Sequence, residues 1–174
     1  VKALVTKPWI DPTGGSFSAP RVVQRRLPGV HLDYSYFMIK PINYVNPVVV
    51  DTDGRVRWAD STPTPGGQPS AIFMDNSFFV GSGTGLKRLE LDGSSTPIAD
   101  YATSQHVIST HHHNYDPGKN GILVEVDTTT DVESTILEVS KSGEVLDRFD
   151  LWSIVENAMR DGSDDPSGFV RRDK

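Results

Sequence analysis

The chain has 174 residues, a formal net charge of −6 and a hydrophobic fraction of 36%. The length suffices for one domain, but so low an apolar share predicts a core completed by chain outside this sequence. An acidic balance with no dense Lys/Arg cluster, Arg25-Arg26 and Arg171-Arg172 being isolated pairs, argues against nucleic acid or an anionic membrane as a partner, and the absence of cysteine excludes disulfides, zinc-thiolate sites and thiolate nucleophiles.

No stretch of about 18 apolar residues occurs, so no membrane span is expected. The first ten residues carry neither the apolar run nor the cleavage pattern of a signal peptide and begin without Met, which reads as a processed or cut chain. Twelve prolines and fifteen glycines are spread along the whole length, as many short strands joined by turns require.

Residues 1–45 are expected to be an extended N-terminal arm with connecting strands. Pro8, Pro12, Gly14, Gly15, Pro20 and Pro28 leave only short extended runs at 3–6 and 34–39. Residues 46–162 carry the regular pattern. A β-branched run, Val48-Val49-Val50, leads into Asp51-Thr52-Asp53-Gly54 and then the alternating Arg55-Val56-Arg57-Trp58, a hairpin signature. The same device returns at Leu86 to Ser94 around Asp92-Gly93, and again at Ile136 to Phe149 around Ser142-Gly143. The turn glycines Gly54, Gly93 and Gly143 lie 39 and 50 residues apart, close to the length of one four-stranded propeller blade. Further strands are expected at 70–73, 78–81, 107–110 and 122–126.

The fold class is therefore read as all-β: a partial β-propeller of about two to three four-stranded blades, with a β-sandwich as the alternative. A ring closes only with four or more blades, so the remaining blades are expected from further chain. One helix is predicted after Asp150, with Leu151, Ile154, Val155, Ala158 and Met159 on one face and Asp161-Gly162 at its end. Residues 163–174 form a polar tail that frays unless chain follows.

Chemistry concentrates in Thr110-His111-His112-His113-Asn114, which holds three of the five histidines. On a regular strand His111 and His113 share one face and His112 takes the other. Three readings compete. Two same-face imidazoles chelate zinc or copper, but no further ligand stands at familiar spacing. Imidazole also suits proton transfer and stabilisation of an anionic oxygen near neutral pH. The third is a polar segment whose histidines bond to backbone. Asp51, Asp53 and Gly54 are read as turn chemistry over a calcium loop, and Gly81-Ser82-Gly83-Thr84-Gly85 as a connection, since no Lys-Ser/Thr follows it. Trp58 and Trp152 are expected to pack in the core.

Val49 to Trp58, the Thr-His segment leading to Asn120-Gly121-Ile122-Leu123-Val124, and Ile136 to Val145 with Asp150-Leu151-Trp152-Ser153-Ile154 follow an order that resembles the bacterial arylsulfate sulfotransferases over residues 45–160. The resemblance implies a six-bladed propeller that moves a sulfuryl group from a phenolic sulfate ester to a phenol acceptor, with no nucleotide or other cofactor and no metal. It implies a catalytic histidine in the central cavity. Alignment on Asn120-Gly121 selects His113, alignment on the Thr-His pair selects His111, and His112 lies between them. Asn114, where the family usually has an acidic residue, falls at a substrate-binding position. The family's covalent sulfohistidine, a His-x-Asn segment and an arginine fall later than this sequence extends, so the fragment alone is expected to be inactive. A secreted or periplasmic location follows from the resemblance, and a homo-oligomer is compatible with it. The competing reading is a non-catalytic propeller that binds or scaffolds a partner.

Overall fold

A computed structural model describes residues 21, 23–24, 27–40, 46–60, 70–102, 108–132 and 134–169. The extended run expected at 3–6 lies outside them. Among the described residues the chain is mostly strand, arranged as three antiparallel sheets with one helix, and the sheets form no closed barrel.

Sheet one has the order β1 (Tyr36–Ile39), β2 (Val48–Asp51), β3 (Val56–Ala59). Sheet two runs β4 (Ser70–Met74), β5 (Ser77–Ser82), β6 (Gly85–Glu90), β7 (Ser95–Asp100). Sheet three runs β8 (Ile108–Pro117), β9 (Ile122–Thr128), β10 (Thr135–Val139), β11 (Val145–Asp150). Each strand pairs with its sequence neighbour, as short turns dictate.

The three glycine turns are equivalent in detail. Gly54, Gly93 and Gly143 have φ of 79°, 88° and 89° and donate their N–H to the carbonyls of Asp51, Glu90 and Ser140. The amides of Asp51, Glu90 and Ser140 in turn donate to Arg55, Ser94 and Glu144. Each is a three-residue hairpin loop closed by a left-handed glycine. In sheets two and three this loop joins the third and fourth strands, and in sheet one it joins β2 to β3. By that equivalence β1, which falls on the extended run expected at 34–39, matches the second strands, β5 and β9. The β4–β5 hairpin uses a different device: Asp75 and Asn76 both have positive φ, at 51° and 59°, as a two-residue primed turn needs.

Sheet two lies between the other two, and the two-residue alternation of its strands decides what each neighbour touches. Ala71, Phe78, Val80 and Leu89 pack with Met38, Val49 and Trp58 of sheet one. Ile72, Phe79 and Leu86 point the other way, into a cluster with Ile108, Tyr115, Val124 and Leu137 of sheet three. Each fully buried apolar side chain contributes about 1.5–3 kcal/mol, so both interfaces are genuine cores. Trp58 stacks on Phe78 with ring centroids 4.7 Å apart, and its Nε1 donates to the Leu91 carbonyl at 2.8 Å.

The helix α1 (Leu151–Asp161) forms where the sequence places it, with Asp150 accepting from the Ser153 amide at 3.1 Å. It ends as expected at Asp161 with Gly162 as its C-cap, and the left-handed residue is Ser163, at φ 64°, one position later. Ser163 N–H bonds to Arg160 and Asp164 N–H to Met159, the pattern of a Schellman cap. The expected apolar face is not buried. Ile154 is 50% and Val155 43% exposed, because none of the described sheets reaches that side of the helix. Trp152, expected in the core, is half-buried against Phe169, with ring centroids 6.1 Å apart.

Candidate functional site

The histidine cluster lies inside β8, the first strand of sheet three. β8 runs on to Pro117 because β9 offers pairing partners along its whole length. The pairing is not regular. His111 pairs with Val126 and Tyr115 with Val124, so His112, His113 and Asn114 oppose the single residue Glu125. This three-residue bulge overturns the simple alternation expected for the histidines. Bulges of this kind kink a strand and re-aim side chains, and they concentrate beside active sites.

Each end of the bulge is anchored in the core. His111 is 3% exposed, and its backbone N–H donates to the Gly83 carbonyl at 3.0 Å. Its Nδ1 lies 2.5 Å from Tyr115 Oη, and the two rings meet edge to face with centroids 5.6 Å apart. Nε2 is buried and makes no hydrogen bond. Burial lowers the imidazole pKa to about 4, although the backbone carbonyl of Thr84 favours the protonated ring. His111 is therefore neutral near pH 7. The Tyr115 hydroxyl is pushed well above the usual phenol range by burial and by Tyr101. Tyr101, raised to about 12 by burial, donates its hydroxyl to the Gly143 carbonyl at 2.9 Å.

The pair fits because residue 81 has no side chain. A Cβ there would stand 2.7 Å from His111 Cγ and closer still to Tyr115 Oη. The segment Gly81 to Gly85 is thus a structural element: Ser82 and Gly85 pair across a two-residue turn, and the carbonyls of Gly83 and Thr84 receive the amides of His111 and Tyr101.

His112 is partly buried in the bulge. The backbone of His113 lies in β8, and its side chain falls outside the described residues. Asn114 is exposed, and its amide is gripped from both sides. Lys40, just after β1, donates from Nζ to Asn114 Oδ1 at 2.5 Å, and Asn114 Nδ2 donates to Asp116 Oδ2 at 3.2 Å. Burial lowers the Lys40 pKa while Asp116 raises it. A cation that follows the first strand of sheet one thereby fixes the orientation of an amide on sheet three. The sequence carries no sign of Lys40, Tyr115 or Gly81, since each depends on contact across sheets; a glycine at the end of an apolar strand was the only available hint.

Among the described residues no group of three or more His, Cys, Asp or Glu side chains is placed to hold a metal ion. Asp51 serves its own turn. Burial raises its carboxyl, but the Arg55 amide, the Arg57 guanidinium and the Asp53 amide together hold it below the usual range.

With this geometry in place, comparison with known proteins adds one match. The family model for arylsulfotransferases (ASST) matches residues 31–169, which include all three sheets and the helix. None of the curated proteins matches the chain.

Proposed function

The chain belongs to the arylsulfotransferase family, and from that premise we propose that its three sheets are successive blades of a propeller whose central cavity is bordered by the bulge at 112–114. The equivalent glycine loops, the face-to-face stacking of sheets and the juxtaposition of the first strands β4 and β8 support this reading. The substrates are a phenolic sulfate ester and a phenol acceptor, and a secreted or periplasmic setting belongs to the same proposal.

The observation that carries the site is the bulge itself. It takes three adjacent polar residues out of regular pairing on an edge strand while His111 and Tyr115 hold its ends rigid. A transferring sulfuryl group is anionic, so N–H donors aimed at its oxygens stabilise charge as it develops. His113 is assigned that role first, His112 stands beside it, and the Asn114 amide binds substrate. The reaction then follows two displacements. A histidine from chain beyond this sequence attacks sulfur as the S–O bond to the phenol breaks, releasing a phenol once the leaving oxygen is protonated. The second phenol's oxygen attacks the sulfohistidine, the N–S bond breaks, and the acceptor's proton is lost to a base.

The test replaces His113 by Ala in the full-length protein and follows transfer from an aryl sulfate to a phenol. Loss of one donor in a water-poor site costs about 3 kcal/mol, a fall of roughly a hundred- to a thousandfold in kcat. Activity within a few-fold of wild type removes His113 from the mechanism. Wild-type protein without transfer and without acid-labile sulfuryl-histidine favours a binding module instead.

A further inference from the structure

We propose that His111 and Tyr115 form a positioning pair, acting on sulfuryl transfer only by locking the 112–114 bulge against Gly81, and that His111 itself neither touches substrate nor carries a proton in the reaction. The inference rests on the site reading above and divides labour among histidines that the sequence leaves equivalent.

Three observations carry it. His111 and Tyr115 are 3% exposed each and face sheet two, whereas Asn114 between them is exposed, so the bulge sets a buried pair against an exposed amide. The Nδ1 to Oη contact spans positions i and i+4 of one strand. That closure is out of reach for regular strand residues four apart, roughly 13 Å along the chain, and becomes attainable because the bulge shortens the path. Third, the ring and the phenol fill the space left by the missing Gly81 side chain, so the backbone around them has little room to shift.

Hydrogen-bond accounting also fixes the tautomer. If Tyr115 O–H donates to Nδ1, the ring proton sits on Nε2, where the Thr84 carbonyl favours it though no hydrogen bond of good geometry forms. If Nδ1–H donates instead, both the Tyr115 proton and the Nε2 lone pair are left buried without one. The first arrangement is cheaper, since each orphaned buried group costs about 1–3 kcal/mol. The structure therefore assigns the proton to Nε2, with Nδ1 as acceptor.

Two measurements test this in the full-length protein. In 15N-histidine-labelled protein, the His111 ring is expected to show the Nε2–H tautomer without titrating between pH 5 and 8; titration near pH 6 to 7 overturns the pair as described, whether or not the protein transfers sulfuryl groups. In kinetics, Tyr115→Phe is expected to lower kcat roughly ten- to a hundredfold with KM little changed, and to shift the amide resonances of 112–114. His111→Asn, which keeps an acceptor for the tyrosine, is expected to retain more activity than His111→Phe. Unmoved kcat and bulge amides in Tyr115→Phe overturn the proposal. So does a His111→Asn variant as inactive as His111→Phe with native bulge resonances, because the imidazole would then act directly.

Discussion

Gly81→Ala isolates the contact between sheets two and three. Gly81 lies in β5 and is absent from the positive-φ glycines, so alanine suits the backbone and the whole effect is steric. The new methyl would lie 2.7 Å from His111 Cγ and 2.8 Å from His111 Cβ, and nearer to Tyr115 Oη. Real Cβ atoms essentially never approach that closely; the His111 Cβ and Cγ sit next to their own backbone and the Tyr115 hydroxyl belongs to a buried ring, so the sheets must separate or the pair must break. Overpacking of this kind costs about 1–3 kcal/mol, and the broken hydrogen bond adds about 1 kcal/mol. Urea denaturation at neutral pH reads the loss as a lower midpoint at unchanged slope. Since Tyr115 Oη is the nearest obstacle, the Gly81→Ala penalty is expected to shrink by about 1 kcal/mol in a Tyr115→Phe background. A loss below about 0.5 kcal/mol, additive with Tyr115→Phe, would refute the close packing of β5 on β8.

Acid is expected to weaken the fold through His111. Its folded pKa of about 4 lies below the ordinary 6.5, so the unfolded chain binds the extra proton. Stability is complete above about pH 6.5 and falls as pH drops toward 4, by about 3 kcal/mol in all; urea titrations at pH 7 and pH 4.5 read this, and His111→Asn should flatten that slope. Ser163→Gly is expected to stabilise the helix end by about 0.5–1 kcal/mol, because serine at φ 64° bears a Cβ penalty that glycine lacks. Slower amide exchange over the last turn of α1, with sheet amides unchanged, is the readout, and faster exchange there contradicts the cap assignment.

Much of the architecture was legible because it is local. Gly54, Gly93 and Gly143 announce left-handed turns, β-branched and alternating runs flank them, and Asp150 caps a helix over the next few residues. Turn chemistry and two-residue alternation act over about ten residues, and the sequence displays them directly. The histidine segment was legible as a place where chemistry collects, but not as a geometry.

Which histidine turns inward depends on the extra residues that β8 accommodates opposite Glu125, and that depends on the pairing of β9 and on the gap at Gly81, some thirty residues away. Lys40 reaches Asn114 across 74 residues of chain. The helix's apolar stripe is visible in the sequence, yet its burial requires a surface that none of the described sheets supplies. The sequence by itself determined strands, turns and a capped helix, since their energies are set by neighbours along the chain. Tertiary structure alone decided the roles of His111, Tyr115, Gly81 and Lys40, because burial and close approach are properties of the space between sheets.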